Sequence, residues 1–368
     1  MVAIVGASIS GLYLAWRLSP FKEVKVFEAG GGPEVSRRLI VTSSFFRYWK
    51  APLPPVLNEV RAYRFVTYQG EAFLPLREPD LVIERRDLIR ILLSCLHLKG
   101  VGLLEGWAFK GFEGQALLFH TPRGEGAIEA DWVIGADGAL SRVRTAAGGL
   151  LPYVYLVQAK VTLKECWEAQ TSIIWLYPDL TPYFLWLFPD SPKTAVLGLI
   201  ASDPFHAHRA LKEMLMREGL EPLGYEDGWV SLFEPRFQPE RGKVLLIGDA
   251  AGQVKVTTVG GTVSGLRGAL ACERALLKGR SYKRELLPLW LELFSHYWLR
   301  KWLDLTGPCF IGGILPWIRK GSFEPINRDR LFYSLPLLGL KRPPFALAVF
   351  FQALRCLKNL NKKHLSKA

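Results

Sequence analysis

MVAIVGASISGLYLAWRLSPFKEVKVFE, residues Met1 to Glu28, decides the fold of this chain. Val2 to Val5 is a short apolar run, Gly6 to Gly11 (GASISG) a glycine-bearing turn, and Leu12 to Leu18 has helical character. Val24 to Phe27 is a second apolar run that ends on Glu28. Strand, turn, helix and strand in that order predict a Rossmann-type β-α-β unit. At such a turn a pyrophosphate rests on backbone N–H groups at the helix N-terminus, where the helix dipole also favours negative charge. Gly6 and Gly11 keep the outer glycine positions, and Ser8 stands at the middle one, where a side chain crowds a phosphate. Glu28, at the end of the second strand, is placed to accept ribose hydroxyls. The competing reading of the same residues is an ordinary strand-turn-helix with an incidental acid.

Outward from this unit, Ala62 to Tyr68 and Glu71 to Pro75 flank a Gln69-Gly70 hairpin turn. Asp87 to Leu98 has helical spacing, and Val101 to Ile134 reads as a small antiparallel meander that returns to a buried strand at Trp132 to Ile134. Tyr153 to Ala201 alternates aromatic and β-branched residues between prolines, which predicts a separate antiparallel sheet. A helix around His208 to Arg217 follows, then a buried strand at Val244 to Ile247, a glycine-rich loop and a small-residue helix reaching Leu277. From Tyr282 the chain is helical and rich in Trp. The expected class is α/β (α+β overall). A nucleotide-binding lobe would take 1–150 and 236–280, an antiparallel-sheet substrate lobe 151–235, and a basic helical C-terminal region 281–368.

Two later segments resemble the other dinucleotide-contact motifs of the aromatic-hydroxylase class of flavoproteins. DWVIGADGALSRVR (Asp131 to Arg144) resembles the second, centred on Asp137 and Gly138, and LLIGDAAGQVKVTTVGG (Leu245 to Gly261) resembles the third. The resemblance implies FAD as cofactor, with Asp249 on its ribityl chain and Gly260, Gly261 and Thr262 near the pyrimidine edge of the ring. It also implies that Arg85 reaches the pyrophosphate, for which a guanidinium has the right fork of donors. A solvated helix start is the alternative for the Glu84 to Asp87 cluster.

Within that superfamily the chain resembles the geranylgeranyl reductases, which saturate isoprenoid double bonds, including those of archaeal membrane lipids. GDAAGQVK followed by Thr257-Thr258, paired glycines and a small-residue helix is in that family's style, and so is FLWLFP (Phe184 to Pro189) with Gly198 after it. Alternation would place Phe184, Trp186 and Phe188 on one face of a strand, as an apolar wall for a prenyl chain. The alternative is that they fill the core between sheets. The sequence departs from the family at Val256, at Val259, and at Arg37 to Ile40, where a Cys-Gly motif is missing. No general acid is assigned: Tyr183 and Lys255 are the candidates considered, the plain readings being an exposed Tyr and a surface Lys, with water as the proton source.

The five cysteines (Cys95, Cys166, Cys272, Cys309, Cys356) are widely spread and never spaced as a metal or dithiol site, so no metal is expected and a reducing cytoplasm fits best. With a buried strand at Val2, no signal peptide is expected ahead of the fold. The net charge of +13 is concentrated late, with fifteen Lys or Arg against five Asp or Glu from Ser281 onward. Phe310 to Ile318 and Phe345 to Leu354 are apolar but too short to span a bilayer. An anionic membrane surface is an expected partner, a basic solvated tail the plain alternative, and nucleic acid is not expected because no binding motif underlies the charge. The resemblance implies a prenyl lipid substrate and an external electron donor, NAD(P)H or a ferredoxin-type protein, since no second complete nucleotide fold is present. Two rivals stay open: an FAD-dependent monooxygenase of a small apolar or aromatic substrate, and a lipid-binding flavoprotein relic without turnover.

Overall fold

The computed structural model describes residues 1–30, 36–164, 167–319 and 328–365. The elements run β1 (Val2–Val5), α1 (Ile9–Leu18), β2 (Val24–Glu28), β3 (Arg38–Val41), α2 (Ser44–Tyr48), β4 (Val56–Thr67), β5 (Gly70–Glu84), α3 (Arg85–His97), β6 (Gly102–Glu105), β7 (Ala108–Glu113), β8 (Ala116–Thr121), β9 (Gly124–Glu129), β10 (Trp132–Gly135) and α4 (Arg142–Ala146). They continue β11 (Tyr153–Thr162), β12 (Thr171–Trp175), β13 (Leu185–Pro189), β14 (Thr194–Ala201), α5 (Pro204–Glu218), β15 (Pro222–Ser231), β16 (Glu240–Arg241), β17 (Val244–Leu246), α6 (Thr262–Lys278), α7 (Tyr282–Arg319), α8 (Leu331–Lys341) and α9 (Pro343–Leu365). Two compact units are formed, one from Met1–Val56, Ile83–Val154 and Trp229–Tyr297, the other from Leu57–Val82, Tyr155–Gly228 and Trp298–Ala368.

The first unit is built on a parallel sheet in the order β17-β10-β1-β2-β6, with the short β16 antiparallel at one edge. Its register explains why distant motifs meet. Val5 pairs with both Phe27 and Gly135, and Gly135 pairs with Leu246, so four strands end at one level. The loops that leave β1, β2, β10 and β17 therefore emerge along one edge, the usual place for a ligand in an open α/β sheet. Ala3, Val5, Phe27, Val133 and Leu246 form the core with Phe109, Leu117 and Phe119 of the β7-β8-β9 meander.

The second unit carries a sheet in which β15, β11, β14, β13, β12, β4 and β5 follow one another. Antiparallel ladders join β11 to β14, β14 to β13 and β13 to β12, as the alternation predicts. The sheet is nevertheless mixed, because β4 of the early hairpin pairs in parallel with β12. That pairing draws Leu57–Val82 into the second unit, although these residues lie within the stretch assigned from sequence to the nucleotide lobe. Leu185, Leu187, Leu197, Leu199, Val157 and Val161 pack on Ala207, Leu211, Met214 and Leu215 of α5. The apolar segments Phe310 to Ile318 and Phe345 to Leu354 lie within helices α7 and α9.

Candidate functional site

At the aligned strand ends of the first unit lies a cavity of about 400 Å³ lined by Gly6, Ser8, Glu28, Arg85, Asp137 and Gly138, among others. Six of the residues singled out from sequence thus meet in one crevice, although they span more than a hundred positions of chain. Gly6 has φ +102°, and a Cβ there would lie 2.5 Å from the Ala136 carbonyl oxygen, so no other residue fits between β1 and β10. Ser8 caps α1 by accepting the Gly11 N–H at 3.2 Å, which turns its hydroxyl onto the helix end. No acidic residue occupies the first turn of α1 itself, so the charge facing its N-terminus comes from outside the helix. Glu28 accepts the Ala7 N–H at 2.7 Å and the Gly30 N–H at 3.0 Å, so its carboxylate is held against the glycine turn.

Arg85 opens α3 and is fixed by its neighbours. Glu84, almost fully buried, accepts the backbone N–H of Arg37 at 2.7 Å and the Ser36 hydroxyl, and forms an ion pair with Arg38. The Arg85 N–H in turn donates to the Arg37 carbonyl at 2.8 Å. The stretch that lacks the Cys-Gly motif is thereby pinned to the arginine of the crevice. Burial, followed by repulsion from Arg37, lowers the Arg85 guanidinium, and attraction to Asp249 and Glu28 offsets this only in part. A cation in that condition gains from an anionic ligand.

Asp137 both lines the crevice and organises it. It accepts the Ser141 hydroxyl at 2.5 Å and the Val143 N–H at 3.1 Å, which starts α4. Burial raises its carboxyl despite these hydrogen bonds. In the third motif, Asp249 does not line the cavity but lies beside Gly261, where a Cβ would come within 3.1 Å of its Oδ1. Its carboxyl is raised by burial, against the pull of Arg37, Arg85 and Arg144. Gly261 is the N-cap of α6 and Thr262 its first residue, so Gly260, Gly261 and Thr262 stand at a helix N-terminus next to Asp249. Val259 has φ +50°, a left-handed conformation that strains a β-branched residue. Lys255, which sequence reasoning would leave at the surface, is buried, and its backbone pairs with Gly260.

Three groups that hold these loops were not singled out from sequence. Arg144, fully buried, donates through Nη1 to the Ala250 carbonyl at 3.0 Å and through Nη2 to the Ala139 carbonyl at 2.5 Å and the Tyr153 hydroxyl at 2.6 Å. It thus ties the second motif's loop to the third's. Gln253 accepts the Gly248 N–H at 2.7 Å and donates to the Tyr282 hydroxyl at 3.0 Å, which donates to the Leu246 carbonyl. Thr257 and the buried His296 share a 2.6 Å hydrogen bond, with Glu292 3.4 Å from the other ring nitrogen. The only available signal was a polar residue inside an otherwise small or apolar run, which Gln253 is and Arg144, between Arg142 and Thr145, is not.

In the second unit, register decides between the two readings of the aromatic strand. The core against α5 uses Leu185 and Leu187, so Trp186 and Phe188 belong to the opposite face of β13, and Phe184 precedes the strand by one residue on the same parity. Trp186 pairs with Gly198, and Gly198 with Gln158. The indole lies flat on Gly198, where a Cβ would come within 2.4 Å of Cζ2. Phe184 contacts the indole with ring centroids 5.8 Å apart. The Trp186 Nε1 is buried and has no hydrogen-bond partner among the described residues, an unsatisfied donor on an otherwise apolar face. Tyr183 is half-buried beneath the Arg300 guanidinium, 4.2 Å from its ring centre, and burial raises its hydroxyl.

No protein-family model matches the chain. Two curated proteins are similar to it. Over 162 residues it is 29% identical to the chloroplastic geranylgeranyl diphosphate reductase of Oryza sativa subsp. japonica, covering 41% of this chain and 35% of that protein. Over 233 residues it is 24% identical to digeranylgeranylglycerophospholipid reductase 2 of Methanothermobacter thermautotrophicus, covering 55% and 58%. The chain therefore spans about a third and rather more than half of the relatives it matches. A geranylgeranyl bacteriochlorophyll reductase-like protein from Thermoplasma acidophilum has the same fold, with a TM-score of 0.75, 14% identity, and coverage of 94% of this chain and 98% of that one. Flavin-dependent monooxygenases and halogenases share the fold as well. The chain thus carries the fold of flavin-dependent oxidoreductases and is similar in sequence to geranylgeranyl reductases.

Proposed function

We propose that the protein is an FAD-dependent reductase of isolated C=C bonds in the prenyl chains, of geranylgeranyl type, of isoprenoid or archaeal-type membrane lipids. The observation that carries the flavin assignment is the crevice in which Gly6, Ser8, Glu28, Arg85, Asp137 and Gly138 converge. The residues fit the group. A helix N-terminus with no acid in its own first turn and a desolvated guanidinium suit a pyrophosphate, Glu28 suits ribose hydroxyls, and the raised carboxyl of Asp249 is relieved by hydroxyl donors. Gly11 would keep α1 close to the turn, and Gly260, Gly261 and Thr262 would offer N–H groups at the start of α6. When bound and reduced, FAD supplies hydride to one alkene carbon while a proton reaches the other.

An unactivated alkene has no polar handle, so its binding must come from burial, about 0.8 kcal/mol per CH₂. The aromatic face of β13, with Phe184, Trp186, Phe188 and the flat step at Gly198, is the surface we assign to the chain. The similarity to two prenyl reductases favours reduction over oxygenation. Electrons would come from NAD(P)H or a ferredoxin-type donor, and the working location would be cytoplasmic with peripheral attachment to membrane.

The test is anaerobic: purified protein reconstituted with FAD, reduced by dithionite and given a geranylgeranyl lipid, with mass spectrometry of the product. The expected product gains two hydrogens per bond reduced. Substrate-stimulated oxygen consumption with no saturated product would instead establish the monooxygenase reading. A colourless preparation that FAD does not reconstitute would leave the non-catalytic relic.

A further inference from the structure

Helices α8 and α9 bury one side each and remain apolar on the other. Val349, Ala353 and Cys356 of α9 pack against Trp302 and Leu303 of α7, and Leu331 and Leu338 form the buried stripe of α8. The two helices meet closely, since a Cβ on Gly339 would lie 3.9 Å from that of Ala346. A helix that has buried such a stripe in a water-soluble surface normally turns a polar side outward. Here the outward residues are Tyr333, Leu337 and Leu340 on α8 and Leu347, Phe350 and Phe351 on α9, all more than half exposed. Six large apolar side chains exposed on two consecutive helices are of the kind that marks an interaction surface.

Charge identifies the occupant. From Leu331 to the end of the chain there are seven Lys or Arg and no Asp or Glu. Lys341 and Arg342, both exposed, stand at the junction of the two helices, beside Leu340, and Arg355 is exposed one turn beyond Phe351. A second copy of this chain would set like charges against each other around the same patch. Exposed apolar side chains on a segment whose own charges are all cationic match the boundary of an anionic bilayer. None of the described helices is long and apolar enough to cross a membrane, so the fit is to its surface.

We propose that the outward face of α8 and α9 docks the protein onto anionic membrane lipid, with Leu340, Leu347, Phe350 and Phe351 entering the headgroup boundary and Lys341, Arg342 and Arg355 on the phosphates. This deepens the reductase reading and rests on it for its purpose, since a prenyl lipid is carried in a bilayer. Docking itself is measured without turnover.

The experiment is flotation of the full chain with vesicles of phosphatidylcholine alone or mixed with phosphatidylglycerol. Binding is expected only with phosphatidylglycerol. It should fall about 25-fold in Lys341→Gln/Arg342→Gln, at roughly fivefold per basic residue, and more than about 100-fold in Leu340→Gln/Phe350→Gln/Phe351→Gln. Phe205→Gln, on α5 and 72% exposed, should bind as the parent does. All these positions are exposed, and unchanged thermal midpoints would show that the variants fold. No binding by the parent to phosphatidylglycerol vesicles, or full binding by the triple variant, overturns the proposal. It is also overturned if the parent is a dimer in light scattering that the triple variant dissolves while neither binds vesicles. Vesicle binding by a protein that reduces no prenyl chain supports docking and removes the reductase reading alone.

Discussion

Replacing Arg144 by Met tests whether one buried guanidinium holds two of the three glycine-bearing loops together. Methionine keeps most of the stem volume and removes every donor. The Ala139 carbonyl would retain the Ser231 hydroxyl at 3.0 Å, and the Tyr153 hydroxyl would lose its partner Nη2. The Ala250 carbonyl would lose its 3.0 Å contact from Nη1. One orphaned carbonyl costs about 1–3 kcal/mol, and breaking a buried charged network commonly costs about 3–5 kcal/mol. Against this, the variant no longer buries a cation. We expect a net loss of about 3 kcal/mol, which is roughly 6–12 °C in Tm for a unit of this size. The assay is urea unfolding of the protein without flavin, paired with a fluorescence titration of FAD. Binding should weaken beyond what the stability loss explains, because Ala139 and Ala250 belong to different loops. Arg144→Lys should recover little, since an ammonium cannot reach acceptors on both sides of a planar fork. A Met variant within about 1 kcal/mol of the parent, with FAD affinity intact, would refute the reasoning.

Three other outcomes follow from the same geometry. Asp249→Asn should raise the Tm of the flavin-free protein at pH 7 and weaken FAD binding. The sign follows from its raised carboxyl: the folded chain holds the proton more tightly than the unfolded one, whose carboxylate titrates near pH 3.9, so the parent loses stability as pH rises through the folded value and the variant does not. Thermal scans from pH 4 to 7 check this, and parallel pH profiles for the two proteins would count against it. Val259→Gly should be more stable than Val259→Ala by about 1 kcal/mol, the reverse of the usual order, because φ +50° strains any residue with a Cβ. Denaturant midpoints of the pair decide the matter. Gly198→Ala should displace the Trp186 indole, costing about 1–3 kcal/mol and shifting Trp emission, since the new methyl meets Cζ2 and the Cβ of Gln158. Unchanged emission and stability would mean that the indole does not rest on that glycine.

The parts of the fold readable in the sequence are those written locally. Val2 to Glu28 alternates strand, turn and helix within one short window, and Gly6 adopts the backbone that only glycine tolerates. The hairpin read at Gln69-Gly70 is present for the same reason, with its turn one residue earlier, at Tyr68 and Gln69. What was not legible is pairing between distant segments. Nothing near Val56 to Thr67 announces a parallel partner at Thr171–Trp175, because strand periodicity tells which side chains share a face and not which strand lies alongside. The same holds within the site. Glu28 and Asp137 follow predicted strands and could be picked out, whereas Arg144, Gln253 and His296 act through tertiary contacts that no spacing encodes. Lys255 shows the opposite error, a charge assigned to the surface that the fold buries.

Three separated pieces of chain make the first unit, the last ending at Tyr297. On the ribosome β1 therefore waits beside β2 until β10 emerges, and the edge of β10 then stays open until β17 arrives. At about 5–20 residues per second the two waits together last roughly 12–50 s, during which an apolar strand edge stands open to aggregation. A growing chain halted before residue 240 already holds every residue that lines the crevice but lacks β17 beside β10 and the loop that carries Asp249, so the sheet beneath the crevice is completed last.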